Sequence, residues 1–186
     1  MKVSVKSAVR AAAQVLGIAE NVEAYINREE TEEGREDTTL LLKCFNRVEN
    51  ELALDYLPLI AEDEVLSSTG VVQYAELTYP AVRVLSVEDD EGNLLKYKLF
   101  PNRLEARSGR MKIVYAYTPT EKTLDGESDY QTAVSERVFV YGMAAEYSLM
   151  QGELEAARIW DKKYKEAVTA AYRLRPTKRI RSRRWM

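Results

Sequence analysis

Apolar residues recur along the first part of the chain at three- and four-residue intervals, the period of a helix with one buried face. Val5, Val9, Ala12 and Leu16 predict a first helix over 4–16, with Ser4 or Ser7 placed to cap it and Gly17 placed to stop it. The next stretch, ENVEAYINREETEEGRED, holds eight acids and two arginines. Val22, Tyr25 and Ile26 predict one short helical turn within it, and the rest reads as a solvated loop ending at Gly34. Leu41, Phe45, Val48, Leu52 and Tyr56 then make one stripe over 37–57. That is a long amphipathic helix, with Glu36 and Asp37 at the positive end of its dipole and Pro58 closing it. The stripe reads as core rather than as a ligand groove.

The period changes after Pro58. VVQYAELT, AVRVLSVE, LLKYKLF and MKIVYAYT are rich in β-branched and aromatic residues and partly alternate, as strands do. DDEGN between the second and third predicts a hairpin over 82–100. RSGR predicts a second turn, joining RLEA to MKIVYAYT, and Pro80 and Pro101 sit at strand edges. Residues 62–118 therefore read as an antiparallel meander or small barrel. TPTEKTLDGESD reads as a loop.

Helical spacing returns over 130–150 with Val134, Val138, Tyr141, Ala145 and Leu149, and Gly152 fits the turn that follows. A last helix over 153–173 carries Leu154, Ala157, Trp160, Tyr164, Ala167 or Val168, and Ala171 on one side. Two helices around one glycine predict an αα-hairpin. Pro176 prevents its second helix from continuing. The fold class is α+β. Helices of 1–60 and the hairpin of 121–173 form a bundle, an antiparallel β insertion occupies 61–120, and a basic arm spans 174–186.

Composition narrows the chemistry. The 186 residues include no histidine and one cysteine, Cys44. This excludes Ser-His-Asp and Cys-His catalysis, every zinc site built on His, a Cys₄ site and any disulfide within the chain. Cys44, beside Phe45 on a helix, reads as a small buried apolar residue; Lys43 alone hints at a reactive thiol. DDEGN, Asp89 to Asn93, lacks the spacing of a calcium loop and reads as a turn, and LDGESD fails the same test. No phosphate-cradling or dinucleotide glycine motif occurs, so no cofactor or metal is expected. No apolar run approaches the roughly 20 residues of a membrane helix. A cytoplasmic product is the default.

Charge is unevenly spread. Seven of the 27 basic residues lie between Arg173 and Met186, where no acid occurs, and the other 20 face all 30 acids. A basic tail alone allows phosphate binding. Ile180 and Trp185 change that reading, because arginine with tryptophan is a composition of protein interfaces. Tyrosines in VVQYAELTY and VYAYT suit base stacking, but the β region mixes both charge signs and packing explains them better.

VFVYGMAAEYSLMQGELEAARIWDKKYKEAVTAAYR resembles the C-terminal helical hairpin of tailed-bacteriophage head-tail connector (adaptor) proteins. The matching residues are Tyr141, Ala144, Ala145, Glu146, Gly152, Ala156, Trp160, Tyr164 and Ala167. IVYAYTPT is similar to the strand and proline-bearing loop that precede the hairpin in that family. The resemblance implies a structural protein of the virion neck and no enzyme. Such a protein is made in the host cytoplasm and forms a ring, usually twelve-fold, on the portal vertex. The ring extends the DNA channel and carries the tail or stopper protein, and DNA passes through it without specific binding. The resemblance also implies a C-terminal segment that docks on the portal. Here Lys178, Arg179, Ile180, Arg181, Arg183 and Arg184 would make that contact, with Trp185 as anchor. An acidic body suits a channel through which DNA must slide, because it repels phosphate. A small nucleic-acid-binding protein using the basic tail is the alternative, and an enzyme built on paired carboxylates the third reading.

Overall fold

The computed structural model describes residues 2–27, 31–130 and 134–173. Among these residues the chain is a mixture of helix and antiparallel sheet, an α+β protein. It divides into two compact units, Met1–Val48 with Lys122–Met186, and Glu49–Glu121.

The first unit is helical. Helix α1, Val5–Leu16, begins where the Ser4 hydroxyl accepts the Ser7 N–H at 3.4 Å. It ends at Gly17, whose φ of 78° only glycine adopts readily, and the Ile18 N–H donates back to the Ala13 carbonyl at 3.0 Å. Val5, Ala8, Val9, Ala12 and Ala13 are buried.

The acidic stretch corrects the sequence reading. Its first part is a two-turn helix, α2 (Ala19–Ile26), and α3 (Glu32–Glu51) begins five residues earlier than expected. The Thr31 hydroxyl accepts the Gly34 N–H at 3.2 Å, and Glu32 and Glu33 lie in the first turn, where the helix dipole favours acids. Gly34 is therefore a packing residue inside a helix. A β-carbon there would stand 2.4 Å from the Asn21 carbonyl oxygen, so only glycine lets α3 lie this close to α2. The many acids masked this start, because on α3 they form a solvated face.

Helix α4, Glu136–Met150, was expected to bury one stripe, but it is enclosed on most of its circumference. Val138, Phe139, Val140, Gly142, Met143, Ala144, Tyr147 and Ser148 are all buried. The Phe139 ring stacks on Phe45 of α3 at 4.8 Å, and Tyr130 tilts against it at 6.4 Å. Gly152, at φ 80°, turns the chain into α5, Leu154–Arg173, and the Glu153 N–H closes the turn on the Ser148 carbonyl at 2.9 Å. Along α5, Ala157, Tyr164, Ala167, Val168 and Ala171 are buried. Leu149 and Leu154, expected in the stripes, are 53% and 57% exposed because they flank the turn.

The loop before α4 is held in place rather than solvated. Asn46 donates to the Lys122 carbonyl at 3.1 Å and accepts the Lys122 N–H at 2.7 Å. Ser4 and Glu127 form a β-bridge, the Val5 N–H reaches the Gly126 carbonyl at 3.1 Å, and Ser128 is fully buried.

In the second unit the helical path opens into a π-type turn, Leu52–Tyr56, where the Leu57 N–H reaches back five residues to the Leu52 carbonyl. Six strands follow: β1 (Leu59–Ser67), β2 (Val71–Gln73), β3 (Ala81–Glu88), β4 (Lys98–Leu99), β5 (Arg103–Glu105) and β6 (Gly109–Tyr117). They form two three-stranded antiparallel sheets, ordered β1-β6-β3 and β2-β5-β4. No barrel closes among the described residues, and the order is not that of a meander, since β6 lies between β1 and β3.

The DDEGN turn does form, with the Leu95 N–H donating to the Val87 carbonyl at 2.8 Å. The expected hairpin over 82–100 does not extend beyond the Glu88–Leu94 bridge, because Lys98 and Leu99 pair with β5 in the other sheet. On its other edge β3 pairs with β6, where Ile113 and Tyr115 share the buried face with Val84 and Val87. Likewise RSGR joins strands of different sheets rather than a pair. Val72, Leu77, Val84, Val87, Leu104, Met111, Ile113 and Tyr115 make the core of this unit.

Candidate functional site

The predicted contact residues Lys178, Arg179, Ile180, Arg181, Arg183, Arg184 and Trp185 lie outside the described residues. What the structure describes is the platform that leads to them and two surfaces that present unusual chemistry.

The platform is the α4–α5 hairpin. Tyr141 and Trp160 stack across it at 5.8 Å, and the Lys163 ammonium sits 4.1 Å from the centre of the Trp160 ring. That cation–π contact lies within α5, and the same ammonium, 5.8 Å from the centre of the Tyr141 ring, reaches across to α4. At the turn, Leu149, Met150 and Leu154 are exposed together, and Ile159 and Tyr172 are exposed along α5. Leu149, Met150 and Leu154, which flank the turn, form the first surface.

The second surface lies on the sheet β1-β6-β3. Along β1, Ile60, Glu62, Glu64 and Leu66 alternate with the inward Ala61, Asp63 and Val65. Glu62 pairs with Lys112 of β6, which also lies near Glu64 and Glu88. The hydrogen bond and charge of Glu62, with smaller contributions from Glu88 and Glu64, hold the Lys112 ammonium above its usual range. Three carboxylates thus surround one cation.

The buried polar groups serve architecture. Burial tends to raise the Asp63 carboxyl, but the Thr78 N–H at 2.7 Å, the Tyr115 hydroxyl at 2.7 Å and the Thr78 hydroxyl at 2.9 Å outweigh it and hold the group below the ordinary carboxylate range. Tyr115 is pushed up to about 12 by burial and by its bond to Asp63. In the helical unit, Asp37 accepts the Tyr147 hydroxyl at 2.7 Å and an Asn21 N–H at 3.2 Å, joining α2, α3 and α4. Sequence reading missed both networks, because one acid among thirty carries no local signal of its partner.

No protein-family model matches the chain. Nor does any curated protein match it. The site is therefore read from its own residues.

Cys44 is buried, and burial with the nearby Glu146 charge pushes its thiol up to about 12, so it stays protonated and unreactive at neutral pH. Asp89 accepts the N–H groups of Glu91 and Asn93 at 3.0 and 2.8 Å, so its carboxylate is engaged in holding the turn. Among the described residues no three Cys, Asp or Glu side chains are placed to hold a metal ion. No described helix is long and apolar enough to cross a membrane.

Proposed function

We propose that this protein is a head-tail adaptor of a tailed bacteriophage. In this reading the N- and C-terminal helices form one bundle and the β unit is an insertion between them. The protein assembles as a ring on the portal vertex, extends the DNA channel and gives the tail or stopper protein its platform. The exposed apolar group at the α4–α5 turn, Leu149, Met150 and Leu154, is the observation that carries the reading. A lone soluble domain gains nothing from such a surface, whereas an assembly subunit buries it. The order of elements and the hairpin sequence that resembles connector proteins support the same conclusion. Residues 178–185 are the portal contact, with their arginines paired to acids and Trp185 seated in a pocket.

The test is electron microscopy of purified portal incubated with this protein. A ring of added density on one face of the portal is expected. Portals that remain bare under assembly conditions would count decisively against the reading.

A further inference from the structure

The sheet β1-β6-β3 ends on one side at β1. This strand runs nine residues in unbroken register with β6, from Leu59 opposite Tyr117 to Ser67 opposite Gly109. Among the described residues no strand pairs with its other edge, and residues 60–66 make no backbone hydrogen bond on that side. The opposite edge, β3, carries two register shifts, which spoil edge pairing. β1 has none. A long unbroken edge is a template for one more strand.

The outward side chains of β1 specify what that strand would be. Ile60 and Leu66 are 58% and 76% exposed, and between them stand Glu62 and Glu64. The negative surroundings already described at Lys112 extend along this row. An added strand should therefore carry two cations at alternate positions and an apolar group at the end.

One segment of the chain has that pattern. Arg179, Arg181, Arg183 and Trp185 fall at every second position, the period of an extended chain. Laid parallel to β1, Arg181 meets Glu62, Arg183 meets Glu64 and Trp185 meets Leu66. Laid antiparallel, Arg183 meets Glu62, Arg181 meets Glu64 and Trp185 meets Ile60. Either direction satisfies both charges and covers an exposed aliphatic side chain, and main-chain hydrogen bonds along the edge supply affinity.

We propose that in the free protein residues 174–186 of one copy add as a strand to the β1 edge of a second copy. Each copy offers one arm and one edge, so association runs head to tail. The inference goes beyond the adaptor reading and does not depend on it; a portal would compete for the same arm.

Analytical ultracentrifugation of the full chain over a concentration series tests this. Self-association is expected, and Glu62→Lys with Glu64→Lys should weaken it by roughly tenfold or more, given two charge pairs turned repulsive. Arg181→Glu with Arg183→Glu should do the same. Mixing the two variants should restore association, because each arm then meets an edge of opposite charge. Circular dichroism checks that the variants fold, and should the lysine pair fail, Leu66→Ser and Trp185→Ala probe the same contact without charge. A chain that stays monomeric, with its arm free or laid on its own strand, overturns the proposal. So does association that ignores both reversals, or a mixture that restores nothing.

Discussion

Tyr115 and Tyr147 are two of twelve tyrosines, and each donates its hydroxyl to a carboxylate from a buried ring. Both phenols are pushed up to about 12, first by burial and then by the bonded aspartate. An ultraviolet phenolate titration should therefore show Tyr115 and Tyr147 among the late tyrosines, and Tyr115→Phe and Tyr147→Phe should each reduce the late amplitude by one. The stability these groups add is present below the ordinary tyrosine pKa and lost as pH rises through the raised one. Asp63 works in the opposite direction. Its folded pKa lies below its unfolded value, so its contribution is present above the ordinary carboxylate range and lost as pH falls through the depressed value. Urea melts of the wild type and Asp63→Asn should accordingly differ most near neutral pH and converge in acid. Tyr115→Phe should cost about 1–3 kcal/mol, since it strips a donor from Asp63 and an acceptor from the Tyr79 N–H.

At the scale of elements, the packing of α4 depends on Gly142. A β-carbon there would lie 2.8 Å from both γ-methyls of Val48 and 3.1 Å from the Tyr164 ring. Gly142→Ala should destabilise the protein by roughly 1–3 kcal/mol despite alanine's better helix propensity, measured by urea unfolding. Without the crowding, the same substitution on an exposed helix would stabilise. Periodicity located α1 and α5 closely, because each has a glycine beside it and an apolar face in its own sequence, but it began α4 six residues early, since Tyr130 and Val134 are buried apolar residues that continue the spacing outside the helix. It placed the start of α3 too late, since acids at a helix N-terminus and acids in a loop look alike until Thr31 and Asn21 are seen to bond there. It failed to name β1 as a strand. In LIAEDEVLS three consecutive acids hide an alternation that only pairing with β6 makes plain.

At the scale of the molecule, salt separates the adaptor proposal from the nucleic-acid reading. Under the adaptor proposal, portal yields a ring that survives moderate salt, because the hairpin surface proposed to be buried in it is apolar. In a DNA titration the acidic body should keep affinity low even at low salt. Tight binding with a steep salt slope, abolished by deleting residues 174–186, would instead support the nucleic-acid reading. Replacing Leu149 and Leu154 by serine should leave the fold intact, as both are exposed, and should reduce portal occupancy in the same micrographs.

The sequence by itself determined most of the helices in outline, the β character of the stretch between them, the exclusion of histidine chemistry and the concentration of positive charge beyond α5. These depend on local period, on composition and on residue count, all of which are properties of neighbours along the chain. Tertiary structure decided the strand order, the enclosure of α4, the partners of Asp37 and Asp63, and the edge of β1 that no described strand pairs with. Each of these depends on pairings that the local sequence does not show, as when Lys98 and Leu99 join β5 and leave the hairpin that begins at the Glu88–Leu94 bridge. The period of a strand can be read from its own residues, but which edge it leaves open is settled only after every other strand has found its place.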